Sequence, residues 1–254
     1  MAKHIIAVLN QKGGVGKTTT TINLAAYLAR ANRSVLICDL DPQGNTTSGL
    51  GIDKHQLDST LYDVLFGRAD AAQSIKEVSS QGLYLLPSNA ELAGAEVELV
   101  STPHREQMLK NVLDRLEYDY VLIDCPPSLG LLTVNALTAA QDVLIPVQAE
   151  YYALEGLSQL LSVITQVRQA LNPNLNILGV VVTLFDKRTS LSEQVKSELE
   201  RHFGQKMFNT VIPRNVRLAE APSFGKTIAD HDKWSKGARA YKALARELEK
   251  RVNG

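Results

Sequence analysis

Seven short apolar runs recur along the chain, at residues 5–10, 34–40, 83–87, 120–125, 143–147, 177–185 and 207–212, and most are apolar at every position. A strand that is wet on one face alternates, whereas one covered on both faces does not. Continuous runs therefore predict a largely parallel sheet with helices against both sides. Helical patterns lie between them at 18–30, 104–116, 154–171, 190–203 and 236–252. This βα rhythm predicts an α/β fold built on a doubly wound, mostly parallel sheet. With no internal repeat, low-complexity tract or linker, residues 1–254 read as one domain. The least patterned stretch is 44–81, which Gly44, Gly49, Gly51 and Gly67 break into loops and short helices.

A chain of 254 residues can bury a core without metal or disulfide staples. Its hydrophobic share of 44% and charged share of 21% exclude a disordered tail. The apolar run at 5–9 is too short for a signal-peptide core, and no cleavage site follows it. No later run approaches the roughly 20 apolar residues of a membrane span. Cys38 and Cys125 both sit inside apolar runs, so a disulfide framework is absent and a reducing cytoplasm is the expected compartment.

The strongest chemical signal follows the first apolar run directly, as Lys12-Gly13-Gly14-Val15-Gly16-Lys17-Thr18-Thr19. A strand that ends in a glycine-rich turn and then starts a helix aims several N–H groups at one point, where the helix dipole also favours an anion. Phosphate is the natural occupant. Lys17 is placed to reach β and γ phosphates, and the Thr18 hydroxyl to ligate Mg²⁺. The usual P-loop spacing requires Gly at position 11, where Gln11 stands, and a second lysine, Lys12, opens the loop. A dinucleotide fingerprint competes through Gly14 and Gly16, with Asp39 near its acidic position, but Thr19 occupies the site of its third glycine.

Two acidic motifs stand where a nucleotide hydrolase needs them. Asp39-Leu40-Asp41-Pro42-Gln43-Gly44-Asn45 ends the second run, and Val121-Leu122-Ile123-Asp124 leads into Cys125-Pro126-Pro127-Ser128-Leu129-Gly130. The carboxyl ends of parallel strands border the ligand crevice, so Asp39 and Asp41 are expected to face the phosphates, one serving Mg²⁺ and one orienting water. Asp124 has the layout of a Walker B carboxylate. Thr183-Leu184-Phe185-Asp186 departs from a guanine-reading motif at Leu184, which favours ATP, with Pro213 and Asn215 as candidate adenine contacts.

The loop, the D-L-D-P-Q-G-N segment, D-C-P-P-S-L-G and the stretch from Ile212 to Ser223 together resemble the ParA (Soj) family of DNA-partitioning ATPases over essentially the whole chain. The resemblance implies a deviant Walker A ATPase that binds ATP and Mg²⁺, closes into a face-to-face homodimer, and then binds double-stranded DNA without sequence preference. It implies that Lys12 reaches the partner's nucleotide, that Gly13 stays small where subunits meet, that Asp41 positions water, that Thr18 binds Mg²⁺, and that Asp124 with Asp39 supports its hydration. It further implies stimulation by a ParB-type centromere-binding partner, a nucleoid-associated cytoplasmic location, and a short form without an operator-reading N-terminal domain.

Lysine plus arginine equals aspartate plus glutamate at 27 each, yet residues 183–254 hold 15 basic and 9 acidic side chains, a local excess of +6. That C-terminal third is the expected DNA-facing region, with Arg188 and Arg217 matching family positions and Lys196 and Lys226 as additions. A plain solvated surface is the alternative for each of these cations. A MinD-like membrane-positioning ATPase would carry an amphipathic terminal helix, whereas the seam of Ala238, Tyr241, Leu244, Ala245, Leu248 and Val252 reads as core packing and implies no membrane partner. A redox ATPase would need a second cysteine at the dimer axis beside Cys125, and a biosynthetic P-loop kinase or ligase an acceptor pocket that no motif marks.

Overall fold

The computed structural model describes residues 3–79, 81–150 and 155–253. Seven strands form one sheet: β1 His4–Val8, β2 Val35–Asp39, β3 Lys76–Ser79, β4 Leu83–Leu86, β5 Tyr120–Asp124, β6 Asp142–Gln148 and β7 Asn176–Thr183. They lie in the order β3-β4-β2-β5-β1-β6-β7, with every neighbour parallel except β3 on β4. This is the doubly wound α/β sheet expected from the runs.

The reason for uninterrupted apolarity is visible along each strand. Ile5, Ala7 and Leu9 face one core while Ile6 and Val8 face the other, and β5 splits the same way, with Val121 and Ile123 against Tyr120 and Leu122. On the Ile6 side pack the first helix, Lys17–Ala29, and the last, Lys236–Asn253. The opposite side is covered by helices Leu131–Ala139, Glu155–Ala170 and Ser190–Phe203. Residue 154, the expected start of the second of these, lies outside the described residues.

The last helix is sealed onto the molecule. Ala238, Tyr241, Leu244, Ala245 and Leu248 are buried, and Tyr241 is hydrogen-bonded to the Thr20 hydroxyl at 3.1 Å, one turn into the helix that follows the glycine loop. Its apolar seam is therefore already occupied, as the sequence suggested.

Three elements differ from expectation. Residues 207–212 form no ladder strand: they run beside β7 through isolated bridges at Met207 and Pro213. The Asn209 and Thr210 N–H groups instead donate to the Glu247 carboxylate at 2.8 and 2.9 Å. Lys76–Ser79 is a strand after all, a short charged edge that reads as solvent-facing because it is. The helix expected at 104–116 is a 3₁₀ turn, Arg105–Gln107, followed by Met108–Leu113, entered through His104 at φ 54°.

Register positions the chemistry. Asp39 of β2 lies opposite Asp124 of β5, and Asp124 opposite Val8 of β1, so both carboxylates stand level with the strand end from which the glycine loop departs.

Candidate nucleotide site and basic groove

Gly14 and Gly16 have φ of 75° and 87°, a left-handed conformation that side chains resist, and Gly16 immediately precedes the helix Lys17–Ala29. The loop borders a cavity of about 590 Å³ lined by Gly13, Gly14, Gly16, Lys17, Thr18 and Thr19 from this segment. Asp41 and Gln43 line it from the loop after β2, Asn45 from the helix Asn45–Gly49 that follows, Pro127 from the loop after β5, and Ala221, Pro222, Ser223 and Lys226 from near the C-terminus. Val15 is buried, and its carbonyl accepts a hydrogen bond from the Thr183 hydroxyl at 2.7 Å.

Lys17 is buried, with its ammonium 3.3 Å from the Lys12 carbonyl. Burial pulls its pKa below the usual lysine value, and Asp124 is the largest opposing influence. Thr18 donates its hydroxyl to Asp124 at 2.7 Å, and Thr46 donates to the same carboxylate oxygen at 2.7 Å. Thr18 itself lines the cavity, and a hydroxyl that donates its proton to Asp124 keeps its oxygen lone pairs for a ligand. Among the described residues no cluster of three His, Cys, Asp or Glu side chains could hold a metal by itself. A hydroxyl backed by a buried carboxylate, with phosphates to complete the shell, fits Mg²⁺.

Asp39 behaves differently from expectation. It is fully buried and, like the equally buried Asp124, does not line the cavity; Thr47 donates both its N–H and its hydroxyl to Asp39 at 2.9 and 2.7 Å. It shapes the turn that carries Asp41, whose own N–H reaches Asp39 at 3.3 Å. Asp41 does reach the cavity, held by the Gln43 N–H on its carboxylate at 2.9 Å and the Ser88 hydroxyl on its carbonyl at 3.0 Å.

Desolvation raises both buried carboxyls, Asp39 to about 8 with Asp124 as the next cause, and Asp124 to about 6. Both therefore bind protons more tightly folded than unfolded, where an ordinary value near 4 applies. Stability from the pair is complete below about pH 4 and is lost as pH rises through about 6 and 8. Protein free of metal and nucleotide is accordingly expected to melt at lower temperature at about pH 9 than at about pH 6, with Asp39→Asn flattening the fall. A Tm that climbs over that interval contradicts this.

Lys12 does not line the cavity of its own chain. Its half-exposed ammonium points to Glu150 at 2.8 Å, and the neighbouring Gln11 amide to Gln159 at 2.9 Å. A Cβ on Gly13 would meet nothing within 4 Å among the described residues.

Pro213 and Asn215 are not among the residues that line this cavity. Asn215 caps the turn Val216–Glu220 by accepting the Leu218 N–H, and Pro213 lines a second, larger cavity of about 930 Å³. That groove collects Lys187, Arg188, Lys196, Arg214, Lys236 and Arg239 against Asp186 and Glu193. Arg188 is bidentate on Asp186 at 2.9 and 2.7 Å, which holds that carboxyl well below its usual range, and Lys196 pairs with Glu200 at 2.5 Å. Arg217 lies outside the groove, between Glu220 at 2.9 Å and Asp232 at 3.7 Å, and Lys226 lines the nucleotide cavity. The sequence reading missed Lys187, Arg214, Lys236 and Arg239. The adjacency of Lys187 to Arg188 and the helical spacing of Lys236 and Arg239 were the available signals.

A glycine-rich loop with a buried lysine, a hydroxyl on a strand-end carboxylate and a second lysine at the front define a P-loop nucleotide-binding protein of the deviant Walker A type. The family model described as an AAA domain matches residues 3–177. The chain is 55% identical over 247 residues to the chromosome-partitioning ATPase Soj of Thermus thermophilus, covering 97% of this chain and 96% of that one. It is 51% identical over 249 residues to the chromosome partitioning protein ParA of Caulobacter vibrioides, covering 96% and 93%. A crystal structure of cobyrinic acid a,c-diamide synthase from Mycobacterium smegmatis, with bound ATP analog and magnesium, superposes at a TM-score of 0.90 with 39% identity, covering 100% and 96%. The chain belongs to the ParA/Soj family of partitioning ATPases.

Proposed function

We propose that this chain is an ATP-dependent DNA-partitioning ATPase whose ATP-bound state is a homodimer that holds double-stranded DNA through phosphate contacts. The observation that carries the reading is the placement of Lys12, a lysine of the phosphate loop that does not line its own cavity and whose ammonium, among the described residues, is paired with a surface carboxylate, Glu150. An exposed pair of that kind contributes about 0–1 kcal/mol, so a phosphate can displace the carboxylate readily. The empty space around Gly13 supports a close approach by a second subunit.

In this reading the loop N–H groups and Lys17 hold the phosphate chain of ATP. Thr18 would hold Mg²⁺ and Asp124 would orient its waters, the ion supplying charge neutralisation on the phosphates. Asp41 fixes the attacking water, and Lys12 of the opposite subunit offsets charge that develops during transfer. Asp39 acts through the turn that aims Asp41. Slow turnover, accelerated by a ParB-type partner, then releases DNA and gives a nucleoid-associated cycle.

DNA would follow the groove of Arg188 and Lys196, joined by Lys187, Arg214, Lys236 and Arg239, with Arg217, outside the groove, as a separate candidate contact. Pairing doubles the patch, so a chain of zero net charge gains affinity when dimeric. With only 6% aromatic residues, a stacking platform for single strands has little support.

The Mycobacterium smegmatis structure carries the name of a biosynthetic enzyme, so retardation of arbitrary duplex is the discriminating experiment. Retardation with a non-hydrolysable ATP analogue, and neither with ADP nor without nucleotide, is expected. Retardation indifferent to nucleotide contradicts the switch. Arg188→Glu should leave dimer formation intact and make the salt dependence of DNA affinity shallower by at least about one unit of slope. An unchanged slope removes Arg188 from the interface.

A further inference from the structure

Lys226 reads from the sequence as one more surface cation available to DNA, but the fold roots it at the cavity that the glycine loop also lines. Its N–H donates to the Ala221 carbonyl at 3.1 Å, closing a tight turn through Gly225 at φ 61°. Gly225 lies directly on Gly51, where a Cβ would fall 2.6 Å from the Gly51 Cα, so this turn is locked against the end of the helix Asn45–Gly49 that follows Asp41. Two residues beyond Lys226, the Ile228 N–H donates to Asn23 at 2.7 Å, and Asn23 in turn donates to the Thr19 carbonyl at 2.8 Å. The backbone on both sides of Lys226 is thus fixed to elements that carry the site.

The ionisable side chains lining the cavity are Lys17, Asp41 and Lys226. Lys17 and Asp41 are buried, whereas Lys226 is exposed at the rim. Without Lys226 the lining charges cancel, and with it the cavity carries one net positive charge, matched to a polyphosphate. A flexible ammonium is a compact point charge suited to phosphate oxygens. We propose that Lys226 binds the phosphate chain of the nucleotide, closing over it from the side opposite Lys17, and is no part of the DNA track. The inference rests on the P-loop reading above and adds to it a ligand from the C-terminal third.

The test is Lys226→Gln, with Lys226→Arg as the charge-restoring control, both checked for unchanged Tm because the side chain is exposed. Affinity for a fluorescent non-hydrolysable ATP analogue with magnesium should fall about five- to tenfold in the Gln variant and recover in the Arg variant. At saturating analogue, the salt slope of duplex binding should match wild type, while Arg188→Glu makes it shallower. Analogue affinity within about twofold of wild type overturns the proposal, as does a slope for Lys226→Gln that is shallower by about one unit. Failure of the wild-type protein to bind the analogue at all would instead sink the P-loop reading itself.

Discussion

Lys17→Ala is expected to lower affinity for ATP by more than about 100-fold. Lys17 is buried at the loop, and its charge is opposed by burial and supported most by Asp124. Its ammonium is therefore held for an anion that arrives in the cavity. Charge-assisted hydrogen bonds contribute about 1.5–3 kcal/mol each, so contacts to two phosphates total at least about 3 kcal/mol, a factor above about 100. Calorimetric titration with an ATP analogue and magnesium measures this directly. Affinity within about tenfold of wild type would mean that the loop amides alone hold the nucleotide.

Asp41→Ala should separate binding from turnover. The variant keeps the loop, Lys17 and Thr18, so nucleotide-driven pairing is expected to survive. Steady-state phosphate release should fall by about 10²- to 10⁴-fold, the range that positioned acid–base groups supply. Alanine also strips the acceptor from the Gln43 N–H, so Asp41→Asn, which retains an acceptor, shows whether the turn or the charge is at stake. Loss of hydrolysis in both variants with pairing intact assigns the charge. Normal phosphate release from Asp41→Ala contradicts the role.

Much of the fold could be read in advance because burial on both sheet faces leaves its mark in consecutive residues, as in Val35–Asp39 and Tyr120–Asp124. What could not be read depended on distant partners. Residues 207–212 are apolar enough for a strand, but Asn209 and Thr210 give their N–H groups to Glu247, 38 and 37 positions away. Lys76–Ser79 fails the opposite way, since a charged edge carries no apolar signature.

The candidate site divides along the same line. The glycine loop is local, and its left-handed Gly14 and Gly16 belong to one short segment. Which way a strand-end carboxylate turns is not local: Asp39 faces inward because Thr47 of the following helix, Asn45–Gly49, claims it, while Asp41 two residues later reaches the cavity. The fate of a C-terminal cation is still less local. Arg188 and Lys196 meet in one groove, whereas the Gly51–Gly225 contact holds Lys226 at the cavity that the glycine loop lines.

The account turns on whether triphosphate joins two copies of the chain, each lending its outward-turned ammonium to the other. Molar mass by light scattering, at protein concentrations well above those of the binding assays, decides it. With magnesium and a non-hydrolysable ATP analogue the mass should be twice the 27.8 kDa of the chain, and with ADP it should be that of one copy. A single-copy mass under saturating analogue would contradict the mechanism at its root.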